Sequence, residues 1–289
     1  MSSRADRQRP VPAPPAEITV PTALGEALQL LRHNHDLAVW AGGTWWLHHG
    51  TTTPPSGSIL AIHAVRELRR VVRTGNHVEI GATVPAGRLL GAGRRFLPPV
   101  AVDAIRRVGP PPVRNLATVG GAVCVPGTIL PVAAALQIID TSVELRRHGN
   151  SRWVALSQLR DAGGAVRIGD DELATRLRIP LRNWTHWMVH SYGAVFPPPQ
   201  PSLSLVGAAS LDKTGISEFR FALIINGELQ IRLREAETDL VGRAVPLTER
   251  DRRTVLATLE DNPFFGSELD DLGRWRASNG LRRFLLRLG

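Results

Sequence analysis

Val113-Arg114-Asn115-Leu116-Ala117-Thr118-Val119-Gly120-Gly121-Ala122 leads a basic residue and an amide into a paired-glycine turn. Upstream, Leu37-Ala38-Val39-Trp40-Ala41-Gly42-Gly43-Thr44 is a short apolar run that also ends in two glycines. Glycine reaches positive φ and has no Cβ to hold a ligand off, so two such loops brought together can aim several backbone N–H groups at one diphosphate. A lone Gly-Gly more often only makes a turn. Neither pair is the G-x-G-x-x-G dinucleotide fingerprint, and no Gly-Lys-Ser/Thr follows either one.

Further runs keep a recognisable order around these loops: Pro21-Thr22-Ala23-Leu24-Gly25-Glu26-Ala27-Leu28, Ile80-Gly81-Ala82-Thr83, Leu177-Arg178-Ile179-Pro180 and Leu281-Arg282-Arg283-Phe284-Leu285-Leu286-Arg287. With Ala41-Gly42-Gly43-Thr44 and Arg114 through Gly121, the chain resembles the FAD-binding subunit of the molybdenum hydroxylases, the carbon monoxide and xanthine dehydrogenase family, over residues 16–289. The resemblance implies an α+β chain with a PCMH-type FAD-binding fold: a tail at 1–15, an N-terminal FAD-binding subdomain at 16–58, a second at 59–181, and a C-terminal α+β domain at 182–289. It implies FAD as cofactor, held by Ala41, Gly42, Gly43, Thr44, Trp45, Arg114, Asn115, Thr118, Val119, Gly120, Gly121 and Ala122. The partners it implies are a large molybdenum-cofactor subunit and a small iron–sulfur subunit, with electrons passing through FAD to an acceptor. No catalytic side chain is expected, because a flavin supplies the redox chemistry and the protein supplies placement and electrostatics.

The chain departs from that family's pattern in three places. Trp45 stands where a small or acidic residue is usual, Ala122 to Pro131 carries no carboxylate, and Tyr192 to Ser202 carries no charge. The glycines that would cradle a diphosphate are kept, while directional side-chain contacts to the rest of FAD are lost. Two other readings stay open: a flavin-free descendant that keeps the fold as a scaffold, and a stand-alone flavin oxidoreductase acting directly on a small substrate.

Individual residues carry alternatives of their own. Thr44 either donates to a phosphate or caps the following turn. Arg114 and Asn115 read as fixing their own loop rather than as phosphate ligands, since buried polar side chains mostly pair with backbone. Thr118 is the better direct phosphate contact by resemblance, and Trp45 reads as a buried wedge rather than a stacking surface. His48-His49 diverge in any regular backbone and have no third ligand, so no metal site is expected.

Composition sets bounds on class. The chain has 289 residues, 43% of them hydrophobic and 21% charged, an ordinary globular balance. Its net charge is +9, yet all but Lys213 of the 35 basic residues are arginines, scattered in pairs such as Arg69-Arg70 and Arg106-Arg107. With only 5% aromatic residues and no single basic face, nucleic-acid binding is not expected. No apolar run suits a membrane span and residues 1–15 lack a secretory apolar core, so a cytoplasmic protein is expected. The single cysteine, Cys124, can neither form an internal disulfide nor ligate an iron–sulfur cluster by itself.

Periodicity places the elements. A strand is expected at 17–20, then a helix to Arg32 with Thr22 as N-cap and Ala23, Leu24, Ala27, Leu28 and Leu31 on one face. Strands are expected at 37–40, at 59–62 opening the second subdomain, at 78–82 and at 172–179. Thr83 and Pro85 open a helix, another spans 101–108 until Pro110-Pro111-Pro112 ends it, and a third spans 128–139. Strands at 203–211 and 219–225 run into Asn226-Gly227, the strongest hairpin turn of the chain, and on to 228–233. Thr248 and Asp251 form a capping box, and Leu281, Phe284, Leu285 and Leu288 make the stripe of the last helix.

Overall fold

The computed structural model describes residues 17–46, 57–93, 96–161, 164–193 and 202–289. Expectations for residues 1–15, for His48 and His49, for most of the 51–58 linker and for 194–201 lie outside the described residues.

Three sheets organise the chain. The first is parallel and ordered β1 (Ile18–Thr19), β3 (Ile59–Ala61), β2 (Ala38–Trp40). It packs with α1 (Leu24–His33), whose Leu24, Ala27, Leu28 and Leu31 meet Leu60, Ile62, Val65 and Leu68. Spacing of i, i+3, i+4, i+7 turns those residues into one buried stripe. The helix starts after Ala23 rather than Thr22, and Glu26 reaches back to accept from the Thr22 amide at 3.0 Å. Glu67 accepts from the Leu24 amide at 3.1 Å, so a side chain from outside the helix satisfies its first N–H. β3 was expected to open the second unit and instead lies central here, Ile59 matching both Ile18 and Ala38. All three of its residues are buried, as a strand covered on both sides requires.

The second sheet is antiparallel: β4 (Val71–Arg73), β5 (His77–Gly81), β8 (Leu173–Pro180), β6 (Ser142–Arg147), β7 (Asn150–Ala155). Val78, Ile80, Val143, Leu177 and Ile179 pack beneath α3 (Pro99–Arg106) and α6 (Pro131–Ile138). Alternation along the strands sends charges to the other side. There Arg176 bridges Glu79 at 2.8 Å and Glu144 at 2.7 Å, and Arg178 reaches Glu79 at 2.6 Å. Burial alone would raise the Glu144 carboxyl, but Arg176, Thr175 and Arg146 outweigh it and hold the group down to about 2.

The third sheet is also antiparallel, ordered β12 (Leu229–Arg232), β11 (Gly215–Ile225), β10 (Leu203–Asp212), β9 (His186–Tyr192). One face, with Val206, Ala208, Ala222 and Ile224, continues the core of the second sheet. The opposite face lies under α7 (Arg234–Leu240), α8 (Glu249–Glu260), α9 (Pro263–Glu268) and α10 (Asp271–Leu286), where Phe219 and Phe221 meet Phe284. Asn226 and Gly227 both have left-handed φ, 54° and 73°, as the hairpin turn demands. Thr248 and Asp251 complete the capping box of α8.

The proline run behaves differently from the expectation. Pro110-Pro111-Pro112 starts a helix as well as following one, because proline at N1 has no N–H to lose and its φ is already helical. Arg114 and Asn115 therefore lie in α4 (Pro111–Leu116), and the second glycine pair opens α5 (Val119–Cys124) with Thr118 as N-cap.

Candidate functional site

β2 ends at Trp40 and releases residues 41–46; α4 ends at Leu116 and hands the chain through Ala117 and Thr118 to α5. The two segments touch. A Cβ placed on Gly42 would lie 1.9 Å from the Leu116 carbonyl oxygen and 2.7 Å from its carbon, so only glycine permits the contact. At the junction is a cavity of about 270 Å³. Ala41, Gly42, Gly43, Thr44 and Trp45 line it together with Thr118, Gly120, Gly121 and Ala122.

The other three residues expected at the site stand behind this lining. Arg114 donates from one guanidinium nitrogen to the Arg106 carbonyl at 3.1 Å and to the Gly109 carbonyl, so it braces the turn between α3 and α4. Asn115 lies against Gly87 of α2 (Ala86–Ala92), where its Oδ1 would be 2.4 Å from an added Cβ. Val119 is buried in the core under the second sheet.

An account of backbone donors separates the two loops. Val119 N–H donates to Val84 O at 3.2 Å and Gly120 N–H to Ala82 O at 3.0 Å. Gly121 N–H donates to Thr118 Oγ1 at 3.0 Å and Ala122 N–H to Thr118 O at 2.9 Å. Every amide at the start of α5 is thus used within the protein. In the first loop, the amides of Gly42, Gly43 and Thr44 have no partner among the described residues, and Gly43 sits at φ 66°. One loop presents donors; the other forms a wall.

Charge at the site comes from residues the motifs did not single out. Arg107, the residue closing α3, lines the cavity and makes no ion pair among the described residues. Burial, with the charges of Arg107 and Arg283, holds His190 below the usual imidazole range. Glu172 also lines the cavity but is engaged by Arg152 at 2.8 and 2.7 Å, which holds its carboxyl below the usual range. Burial pushes the Cys124 thiol up to about 12 despite the pull of Arg160, so it stays a neutral thiol. Arg160 itself donates to the carbonyls of Val125 at 2.6 Å, Thr128 at 3.1 Å and Val123 at 3.3 Å. It pins the carboxylate-free run that follows α5. In sequence Arg107 looks like half of one more arginine pair, and its place at the helix end before Arg114 was the available signal.

This lining is rich in donors and poor in free acceptors: three amides, a guanidinium, two threonine hydroxyls and indole rings. It suits an anionic, acceptor-rich group attached to a planar ring, such as the diphosphate of a flavin dinucleotide. Among the described residues no set of three or more His, Cys, Asp or Glu side chains gathers as metal ligands would, and no helix is long and apolar enough to cross a membrane.

Comparison with known proteins gives the family. The xanthine dehydrogenase FAD-binding subunit of Escherichia coli O157:H7 is 27% identical over 275 residues, covering 91% of this chain and 89% of that protein. The nicotinate dehydrogenase FAD-subunit of Eubacterium barkeri is 25% identical over 282 residues, with the same coverage of 91% and 89%. In fold, the chain matches a chain of the quinoline 2-oxidoreductase crystal structure from Pseudomonas putida 86 with a TM-score of 0.76 at 18% identity, covering 96% of this chain and 97% of that one. The family described as the FAD binding domain in molybdopterin dehydrogenase matches residues 14–182. The chain belongs to this family, the FAD-binding subunits of the molybdenum hydroxylase-type dehydrogenases.

Proposed function

We propose that the protein is a cytoplasmic electron-transfer subunit that binds FAD at the junction of its two glycine loops. In this reading it takes electrons from an iron–sulfur partner fed by a molybdenum-cofactor partner and passes them to a separate acceptor. The observation that carries the reading is the contact of Gly42 with Leu116, which sets three amides without a partner among the described residues beside the N-terminus of α5 on one cavity. The amides of Gly42, Gly43 and Thr44 would hold the diphosphate, and Arg107 would offset its charge. Thr118 and the start of α5 form the opposite wall, already satisfied internally and therefore rigid. The flavin, when bound, supplies one- and two-electron chemistry. No side chain at the site is assigned proton transfer, and the neutral Cys124 is kept from nucleophilic attack on the cofactor.

The test is the visible spectrum of the purified full-length chain, with its co-purifying proteins identified by mass. Flavin absorption bands together with iron–sulfur and molybdenum-cofactor chains are expected. A protein that stays colourless after incubation with FAD overturns the reading, and a yellow protein that purifies alone and reduces a small molecule overturns the partner assignment.

A further inference from the structure

The cavity is lined by more indole than a diphosphate cradle needs. Trp40, Trp45 and Trp46 all face it, and Trp40 and Trp46 stack on each other with ring centroids 6.3 Å apart and planes 6° from parallel. Both are half-buried and both line the cavity. The amides of Gly42, Gly43 and Thr44, without a partner among the described residues, lie in the loop whose two ends carry this pair. A diphosphate held on those amides therefore puts whatever ring it carries next to the indoles. Hydrogen-bond recognition of that ring has little to work with, because Glu172, the one carboxylate lining the cavity among the described residues, is tied to Arg152.

We infer that Trp40, Trp45 and Trp46 form the surface on which a planar heteroaromatic ring of the bound dinucleotide stacks, and that stacking is a main determinant of its affinity. This rests on the FAD reading above. Isoalloxazine and adenine share the required chemistry, since either offers a flat π face to an indole.

The experiment titrates the full-length wild type, Trp46→Leu and Trp46→Phe with FAD, FMN and ADP, reading indole fluorescence and, for the flavins, the visible spectrum. FAD is expected to quench the indoles, and so is only one of FMN and ADP, which identifies the ring. Trp46→Leu is expected to lose part of that quenching, since Trp40 and Trp45 remain, and to weaken FAD and the same half-ligand about tenfold, in line with the strength of base–aromatic stacking, leaving the other half-ligand unchanged. Trp46→Phe keeps a ring and stays within about threefold of the wild type for FAD. If FMN and ADP weaken equally in Trp46→Leu, or if FAD binds it as well as the wild type, the indoles only shape the loop and the inference is overturned. If the wild type binds none of the three ligands, the flavin reading falls and takes this inference with it.

Discussion

Gly42-Gly43 and Gly120-Gly121 read alike in sequence and are used for different ends. The first pair has amides without a partner among the described residues and lets its loop press on the Leu116 carbonyl. In the second, Gly120 exists for packing: a Cβ there would lie 2.5 Å from Ala82 Cβ and 2.7 Å from Ala82 O. The α5 amides are spent on Val84, Ala82 and Thr118. A glycine pair is therefore no proof of an anion cradle. The bonding of its N–H groups decides whether it binds or packs.

The sharpest way to break that contrast is to add one methyl group to each loop. Gly120→Ala forces α5 away from Ala82, and overpacking against backbone is expected to cost about 3 kcal/mol of unfolding free energy in urea titrations. Gly42→Ala pushes the first loop off Leu116 instead. It should cost a comparable amount of stability, since the added Cβ would meet the Leu116 carbonyl oxygen at 1.9 Å, while also weakening FAD about a hundredfold, because the charge-assisted amide bonds are misdirected. Equal stability losses with equal affinities would erase the distinction between donor loop and wall.

Arg160 is the next lever, since it holds the run beyond α5 through the carbonyls of Val123, Val125 and Thr128. Arg160→Met keeps much of the apolar stem but removes these bonds, at an expected cost of about 2 kcal/mol. If the wall matters to binding only through its shape, FAD affinity in this variant should fall with stability and recover when low temperature restores the fold. Loss of affinity in a fully folded Arg160→Met would mean that the wall contacts the cofactor directly.

What could be read from the sequence was local. The stripes of α1 and α10, the Asn226-Gly227 hairpin and the Thr248–Asp251 box depend on residues within a turn or two of each other, so pattern and capping chemistry expose them. The membership of β3 was not readable, because a parallel strand is assigned by partners distant in the chain. The same holds for the donor account: the carbonyls that consume the Val119 and Gly120 amides come from Val84 and Ala82, which no motif near the glycines signals. The two glycine loops line one cavity, and the fold decided which loop kept donors unpartnered among the described residues. Arg107 and Arg160 were hidden by the abundance of arginine.

Thr118 allows a smaller test of the same contrast. Its Oγ1 accepts from Gly121 N–H as an N-cap, so Thr118→Val should cost about 1 kcal/mol and Thr118→Ser almost nothing. If the α5 side is a wall, FAD affinity measured by flavin absorption stays within about twofold in both. A selective tenfold loss in Thr118→Val, with Thr118→Ser unaffected, would instead make this hydroxyl a direct ligand.

The smallest effect concerns Cys124, the last residue of α5, and it checks how closed the wall is. Burial pushes its thiol up to about 12 from 9.0, against the opposing charge of Arg160. Between those two values the unfolded chain has released a proton that the folded chain retains, so this group favours unfolding progressively as pH rises through that window. Below it the folded thiol is neutral and stability is untouched. Only the thiolate reacts, so iodoacetamide at pH 8 should modify the native protein at least about a hundredfold more slowly than the urea-unfolded chain. Cys124 lines the cavity, so FAD bound there should slow that rate further. A thiol that reacts in the free folded protein nearly as fast as in the unfolded chain would show that the wall opens, and the two glycine loops would then differ in degree rather than in kind.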